Sequence, residues 1–298
     1  MAVYLESIEF GKGQSLRFLS WNESVERVRL HTAAGEYEEI DGAGTLWHRH
    51  PEVEITLVTM GAGLRMVGDD VGRIGKGEVA LIGRNLPHFW RMSSVSAGYC
   101  LQFDPFQAGG IWQSPEFGVL SGLWSRAQRG LLISGGLAEE LQRRVAGLAG
   151  VSRLRRLAQL LEALELVARA GEEDVRPLAS GEFRIPEAGD PRWEVVAEAI
   201  ELISKGFRDQ LRLEDVLSGL PVSRATFARH FKRGTGKSFS TFLAELRVGN
   251  ACQLLATTKR GVSEIAFESG FNDLPHFNRT FRRLKGMNPR QWREGDGG

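Results

Sequence analysis

Two stretches of this 298-residue chain repeat one another fifty positions apart. Thr226–Gly236 reads TFARHFKRGTG and His276–Gly286 reads HFNRTFRRLKG, so that Phe227, Arg229, Phe231, Lys232, Arg233 and Gly236 recur as Phe277, Arg279, Phe281, Arg282, Arg283 and Gly286. At about 100° per residue, Arg224, Phe227, Phe231 and Gly234 share one face of the first helix, and Leu274, Phe277, Phe281 and Leu284 one face of the second. The phenylalanines are read as core. Facing away from them are Ala225, Ala228, Arg229 and Lys232 on the first helix and Pro275, Asn278, Arg279 and Arg282 on the second, with Thr226 and His276 flanking. Small, amide and guanidinium side chains of this kind suit base edges and phosphates.

Each repeat is preceded by a short helical segment and a sharp turn: Leu213–Gly219 before Pro221-Val222-Ser223, and Ser263–Ser269 before Gly270-Phe271-Asn272. Ser263 is expected to cap its helix, Gly270 to take the left-handed position after it, and Asn272 or Asp273 to cap the next. This is a helix-turn-helix pattern written twice. The charge agrees: Pro191–Gly298 has 18 basic and 12 acidic residues, Met1–Asp190 has 20 and 25, and the overall +1 is a cancellation of two opposed halves. A basic part joined to an acidic part points to a nucleic-acid-binding domain beside one that does not bind it.

Val262–Arg293 closely resembles the signature of AraC/XylS-type transcription regulators, and SFSTFLAELRVGNACQLLATT, beginning at Ser238, matches the upstream half. The resemblance covers about Trp193–Arg293. It implies an all-α domain of seven helices whose two recognition helices enter successive major-groove segments, joined by a long helix over about Ser240–Leu255. It places Ala225, Ala228 and Arg229, and Pro275, His276, Asn278 and Arg279, at base-reading positions, and makes Lys232, Arg233, Arg282 and Arg283 backbone contacts. Arg224, Thr226 and Leu274 complete the DNA-binding set. The first unit departs from the family at Leu217, Ser218 and Pro221. Proline cannot adopt a positive φ, so the first turn is expected to be reshaped.

The other half reads differently. Glycine is 36 of 298 residues, and seven glycines between Gly61 and Gly83 separate short apolar or alternating stretches (Glu54–Val58, Leu64–Val67, Val79–Ile82), the pattern of a β-sandwich or barrel with many turns. Two helices are expected after it, over Glu139–Gly150 and Ser152–Ala170, the second capped by Ser152. Leu154, Leu157, Leu161, Leu164 and Ala168 repeat at heptad spacing along it, which fits either a seat on the barrel or a dimer interface. Gly171–Pro191, with three prolines and three glycines, reads as a linker. The domains are thus 1–135 barrel, 136–170 helical dimerisation segment, 171–191 linker and 192–295 DNA-binding domain, an α+β multidomain chain.

His48, His50 and Glu54 are in phase on a strand pattern, and His88 follows 34 residues beyond Glu54. Gly42, His48, His50, Glu54 and Gly61 match the first cupin motif, and Gly77, Gly83, Asn85 and His88 fit the second loosely. Residues 38–103 therefore resemble the cupin-type sensor barrel of many AraC-type regulators. His48, His50, Glu54, His88 and Trp90 are the candidate effector pocket. The first four are also a candidate metal set, since imidazole suits several divalent metals, although no cofactor is required. Trp47, Phe89, Trp90 and Phe103 are close in sequence to this set and would suit a sugar-like or small aromatic effector. Cys100 and Cys252 are too few for a disulfide framework and read as buried thiols. No apolar run approaches the ~20 residues of a membrane span.

The chain is accordingly expected to be a cytoplasmic, effector-responsive transcription regulator that is not an enzyme. Its partners would be double-stranded DNA, a small molecule, a second copy of itself and RNA polymerase, without a membrane. The alternatives are a metal-dependent cupin enzyme fused to a DNA-binding domain, and a constitutive DNA binder whose barrel is only a scaffold.

Overall fold

The computed structural model describes residues 4–11, 14–92, 95–107, 111–181 and 191–296. Eleven strands come first: β1 (Tyr4–Leu5), β2 (Leu16–Trp21), β3 (Arg27–Ala33), β4 (Glu36–Asp41), β5 (His48–Arg49), β6 (Val53–Met60), β7 (Ala62–Val67), β8 (Asp70–Gly75), β9 (Val79–Ile82), β10 (His88–Met92) and β11 (Ala97–Phe103). After them come α1 (Ser121–Ala127), β12 (Leu131–Ile133), α2 (Gly135–Ala146), α3 (Arg153–Arg169) and β13 (Val175–Pro177). The strands form a five-stranded sheet in the order β1-β5-β10-β7-β8 and an eight-stranded sheet in the order β13-β12-β9-β6-β11-β2-β3-β4.

Side-chain alternation explains how these sheets stack, because neighbouring residues on a strand point to opposite faces. Val58, Ile82 and Cys100 of the large sheet meet Val67, Ile74 and Trp90 of the small one in a shared interior. Leu57, Leu81 and Leu101, one residue away, point outward into a second core with Leu141 of α2 and Leu160, Leu164 and Val167 of α3. The small sheet is covered in turn on its outer face: Leu64, Met66 and Phe89 pack against the C-terminal helices. The middle of each sheet is therefore buried on both sides, which is why β7 and β9 are buried throughout, whereas the edge strand β4 is exposed.

Three expectations need correction. Of the seven glycines from Gly61 to Gly83, Gly61, Gly68 and Gly77 take the left-handed conformation, but Gly63, Gly72 and Gly75 lie inside β7 and β8. The heptad-spaced residues of α3 do not share one environment: Leu164 is fully buried, Leu154 is 77% exposed, and Leu157, Leu161 and Ala168 are half-buried. The helix also seats itself through Arg156, whose guanidinium donates to the carbonyls of Leu148, His31, Ala33 and Ala149. Finally, Val175–Pro177, within the stretch read as linker, pairs with β12 and extends the large sheet. Residues 182–190 of that stretch lie outside the described residues.

Seven helices follow: α4 (Pro191–Gly206), α5 (Leu213–Ser218), α6 (Arg224–Thr235), α7 (Phe239–Thr257), α8 (Val262–Glu268), α9 (Leu274–Lys285) and α10 (Pro289–Asp296). Phe227 and Phe231 join Val196 and Ile200 of α4 and Phe242 of α7 in one core. Phe277 and Phe281 join Val248 and Leu255 of α7 with Ile265 of α8 in another. The helix α7 belongs to both, so it ties the two units together.

Candidate DNA interface and sensor site

The two repeated helices are built alike. Ser223 caps α6 by accepting from the Thr226 amide, and Asp273 caps α9 by accepting from the His276 amide at 2.7 Å. Each ends on a left-handed glycine, Gly236 at φ 71° and Gly286 at φ 74°. The phenylalanine pairs are buried. Ala225, Ala228, Arg229, Lys232 and Arg233 on α6 are exposed, as are Pro275, His276, Asn278, Arg279, Arg282 and Arg283 on α9; Thr226 and Leu274 are half-buried. The faces read as DNA-facing are thus largely exposed even though the domain is packed on the barrel.

Arg224 was placed with the phenylalanines by periodicity, but it is exposed and pairs with Glu214 at 3.1 Å. As the first residue of α6 it precedes the turn that buries the rest of that face. Ser263 does not cap α8, because the helix begins one residue earlier and Gly261 occupies the cap position. Asp273, not Asn272, caps α9. Arg290 and Arg293 were not in the sequence-derived set, yet both line a groove of about 880 Å³ with Asn278, Arg279 and Arg282. Their spacing of three on a helix just after the repeat was the available signal.

The barrel site forms where the two sheets face each other. His48 and His88 are directly opposed in the antiparallel pairing of β5 with β10, and their ring centroids are 4.1 Å apart. Glu54 enters from β6 of the other sheet, and His50 from the segment after β5. All four are at least 97% buried, and one ligand atom from each lies within 4.8 Å of all the others. The Nδ1 of His48 donates to the Leu46 carbonyl and that of His88 to the Leu86 carbonyl, both at 2.8 Å. A carbonyl can only accept, so each Nδ1 carries a proton, which leaves Nε2 as the atom either ring could offer to a ligand. The His88 Nε2 has no hydrogen-bond partner.

Electrostatics sort the cluster. Burial, with His88 and His50 close by, holds the His48 pKa well below its ordinary value and keeps the ring neutral. Burial works against a charge on His50 too, but its hydrogen bond to Glu54 and the carboxylates of Glu54, Glu6 and Glu52 outweigh it and raise the pKa. Its Nε2 donates to Glu54 Oε2 at 3.2 Å. Burial alone would raise the Glu54 pKa; the histidines overcome that and hold it well below the carboxylate range. Thr56 at 2.6 Å and Gln102 at 3.0 Å donate to the same carboxylate and fix its orientation. Three imidazoles and one oriented carboxylate fit a divalent transition metal, in which case the ion would take the place of the proton that His50 now shares with Glu54.

His48, Glu54 and Trp90 line an adjoining cavity of about 50 Å³, together with Arg17, Thr56 and Gln102. That space suits an ion or a few waters, and in this conformation it does not admit a sugar ring. The four aromatics close to the site in sequence divide between three environments. Trp90 faces the cavity, Trp47 and Phe89 point the opposite way toward the C-terminal helices, and Phe103 stacks with Trp112 at 5.4 Å.

Comparison with known proteins agrees with this division. The AraC-like ligand binding domain family matches residues 34–177, ending at the last residue of β13, and a helix-turn-helix domain family matches residues 217–295. The HTH-type transcriptional activator RhaR of Klebsiella pneumoniae subsp. pneumoniae is 26% identical over 261 residues, which is 83% of this chain and 86% of the relative. Among solved structures, the C-terminal domain of AraT, a response regulator from Geobacillus stearothermophilus, is 33% identical over 34% of this chain and 84% of its own, with a TM-score of 0.33. ToxT from Vibrio cholerae O395 is 12% identical over 94% and 97%, with a TM-score of 0.36. The matched domains and the relative are those of transcription regulators, and the enzyme alternative has no counterpart among them. With an effector-binding domain of one matched family followed by the DNA-binding domain of the other, the chain belongs to the AraC-type transcription regulators.

Proposed function

We propose that α6 and α9 read DNA bases through Ala225, Ala228, Arg229, Pro275, His276, Asn278 and Arg279, with Lys232, Arg233, Arg282 and Arg283 on phosphates. The observation that carries this is the shared build of the two helices: capped start, buried phenylalanines, left-handed glycine end, and an exposed polar and cationic face. In footprinting at an operator selected from random DNA, Arg279→Ala weakens specific binding by about 1 to 3 kcal/mol, while Arg282→Ala mainly lowers the salt dependence. If both variants keep wild-type affinity and salt slope, the assignment of α9 is wrong.

The histidine cluster is proposed as a divalent metal site within the sensor barrel. The convergence of two carbonyl-fixed imidazoles, His50 and Glu54 in a dry interior supports this. Such an ion would give a small effector in the adjoining cavity a charge to bind to. Metal analysis of purified protein is expected to find about one ion per chain, lost in His88→Ala; metal-free protein that takes up neither zinc, nickel nor manganese refutes the site.

A homodimer is proposed through the start of α3, where Leu154 projects into solvent while Leu157, Leu161 and Ala168 pack in part on the chain's own core. Sedimentation of Leu154→Glu is expected to show monomer where wild type shows dimer; an unchanged sedimentation profile places any dimer contact elsewhere. Action in the cytoplasm and contact with RNA polymerase belong to the same proposal. Among the described residues no helix is long and apolar enough to cross a membrane.

A further inference from the structure

One further carboxylate faces the histidine cluster from a different part of the chain. Glu6 follows β1, whose two residues pair in parallel with β5, Tyr4 opposite His48 and Leu5 opposite Arg49. The Glu6 amide continues the pairing by donating to the Arg49 carbonyl at 3.0 Å. This brings the Glu6 carboxylate to the His48 edge of the cluster, with Oε2 at 3.7 Å from His48 Nε2 and Oε1 at 3.5 Å from Arg17 Nη1. The side chain is 15% exposed, and it lines the cavity of about 50 Å³ together with His48 and Glu54.

Neither contact has the length of a good hydrogen bond. Arg17 makes its shorter contact to Gln102 Oε1, at 3.1 Å, and the Nδ1 proton of His48 is given to the Leu46 carbonyl. The gap between Glu6 and His48 has a twin inside the cluster, where His88 Nε2 and Glu54 Oε1 are also 3.7 Å apart. Ligand atoms held at about 2.0–2.2 Å by one ion stand about 3 to 4 Å from each other, so both gaps have the width that an ion closes. Glu6 lies outside the four residues whose ligand atoms are within 4.8 Å of one another. An ion that prefers more than four ligands, as nickel or manganese does, has positions left to fill once those four are bound.

We propose that Glu6 is a fifth protein ligand of the ion and that metal binding thereby fastens β1 to the barrel. The inference rests on the metal reading of the histidine cluster given above. A two-residue strand near a chain terminus, held by a few backbone bonds, opens readily; a carboxylate bound to an ion that four barrel residues also hold would tether it. The coupling runs both ways, since whatever loosens β1 weakens the hold on the ion by the same factor.

Nickel titration and hydrogen–deuterium exchange of the tag-free full chain test this. In the wild type, one nickel ion per chain is expected to slow amide exchange at Leu5 and Glu6 at least tenfold. In Glu6→Gln the ion still binds, at least tenfold more weakly, and no longer slows exchange there, while Glu6→Asp, which keeps the carboxylate, recovers part of the affinity. Circular dichroism screens each variant for folding, and Glu6→Ala replaces one that fails. Unchanged nickel affinity in Glu6→Gln overturns the fifth ligand and leaves the four-residue site standing, as does nickel binding to the wild type without slower exchange at β1. A wild-type chain that takes up no nickel, zinc or manganese overturns the metal reading and this inference with it.

Discussion

The two helix-turn-helix units started from one pattern and differ where they touch the rest of the molecule. In the second unit α8 ends on Gly270 at φ 89°, where an added Cβ would lie 2.4 Å from the Phe207 carbonyl oxygen. In the first unit Gly219 at φ −90° matches Ser269 at φ −85°, Leu220 stands in the place of Gly270, and the turn is closed by Leu220 N–H to the Leu217 carbonyl and Val222 N–H to the Leu220 carbonyl. No left-handed residue is used there, as Pro221 implied. At the other end, Leu284 of the second unit corresponds to Gly234 of the first, where Val196 of α4 would lie 2.8 Å from an added Cβ. An added Cβ at Gly236 would approach Asp69 of the barrel at 3.0 Å, while one at Gly286 would meet nothing within 4 Å. The first unit has a glycine where α4 packs on it and meets the barrel at Gly236; the second has Leu284 at the matching position and open space at Gly286.

That contrast can be broken most strongly at the turns. Gly270→Ala combines a left-handed φ with a backbone clash and is expected to destabilise by about 3 kcal/mol. Gly219→Ala, one residue before the position that matches Gly270, has open contacts and an ordinary φ, and is expected to stabilise by about 0.5 kcal/mol. Urea unfolding of the two variants checks the sign as well as the size; equal losses would mean that the turns are alike after all. A smaller effect follows from copying the second unit into the first: Gly234→Leu should cost about 2 kcal/mol by overpacking against Val196. Limited proteolysis should then show α4 cleaved faster, and unchanged cleavage would mean that α4 does not fill that space.

Local features were legible in the sequence. The caps at Ser152 and Asp273, the left-handed Gly270 and the buried phenylalanines depend on residues within a turn or two, and local pattern finds them, whereas the cap read at Ser263 fell instead to Gly261. The members of the histidine cluster were legible as a motif, but the reason read from alternation fails: His48, His50 and Glu54 do not share one strand, and Glu54 enters from β6 of the other sheet. What was hidden depends on distant partners. Nothing near Leu131–Ile133 or Val175–Pro177 announces that they pair with each other and with β9. Trp47 and Phe89 looked like pocket aromatics because a sequence does not say what covers the outer face of a sheet.

Near the middle of α7 sits Gly249, a residue that weakens a helix by about 1 kcal/mol relative to alanine. It is tolerated there because a Cβ would lie 2.7 Å from Leu64 Cδ2 of β7. Yet α7 also sets the separation of α6 and α9, since it packs with both. Its soft point is splinted by the barrel wall for as long as the domains stay docked. Undocking would therefore remove the support from Gly249 and leave α7, and with it the separation of α6 and α9, more pliable.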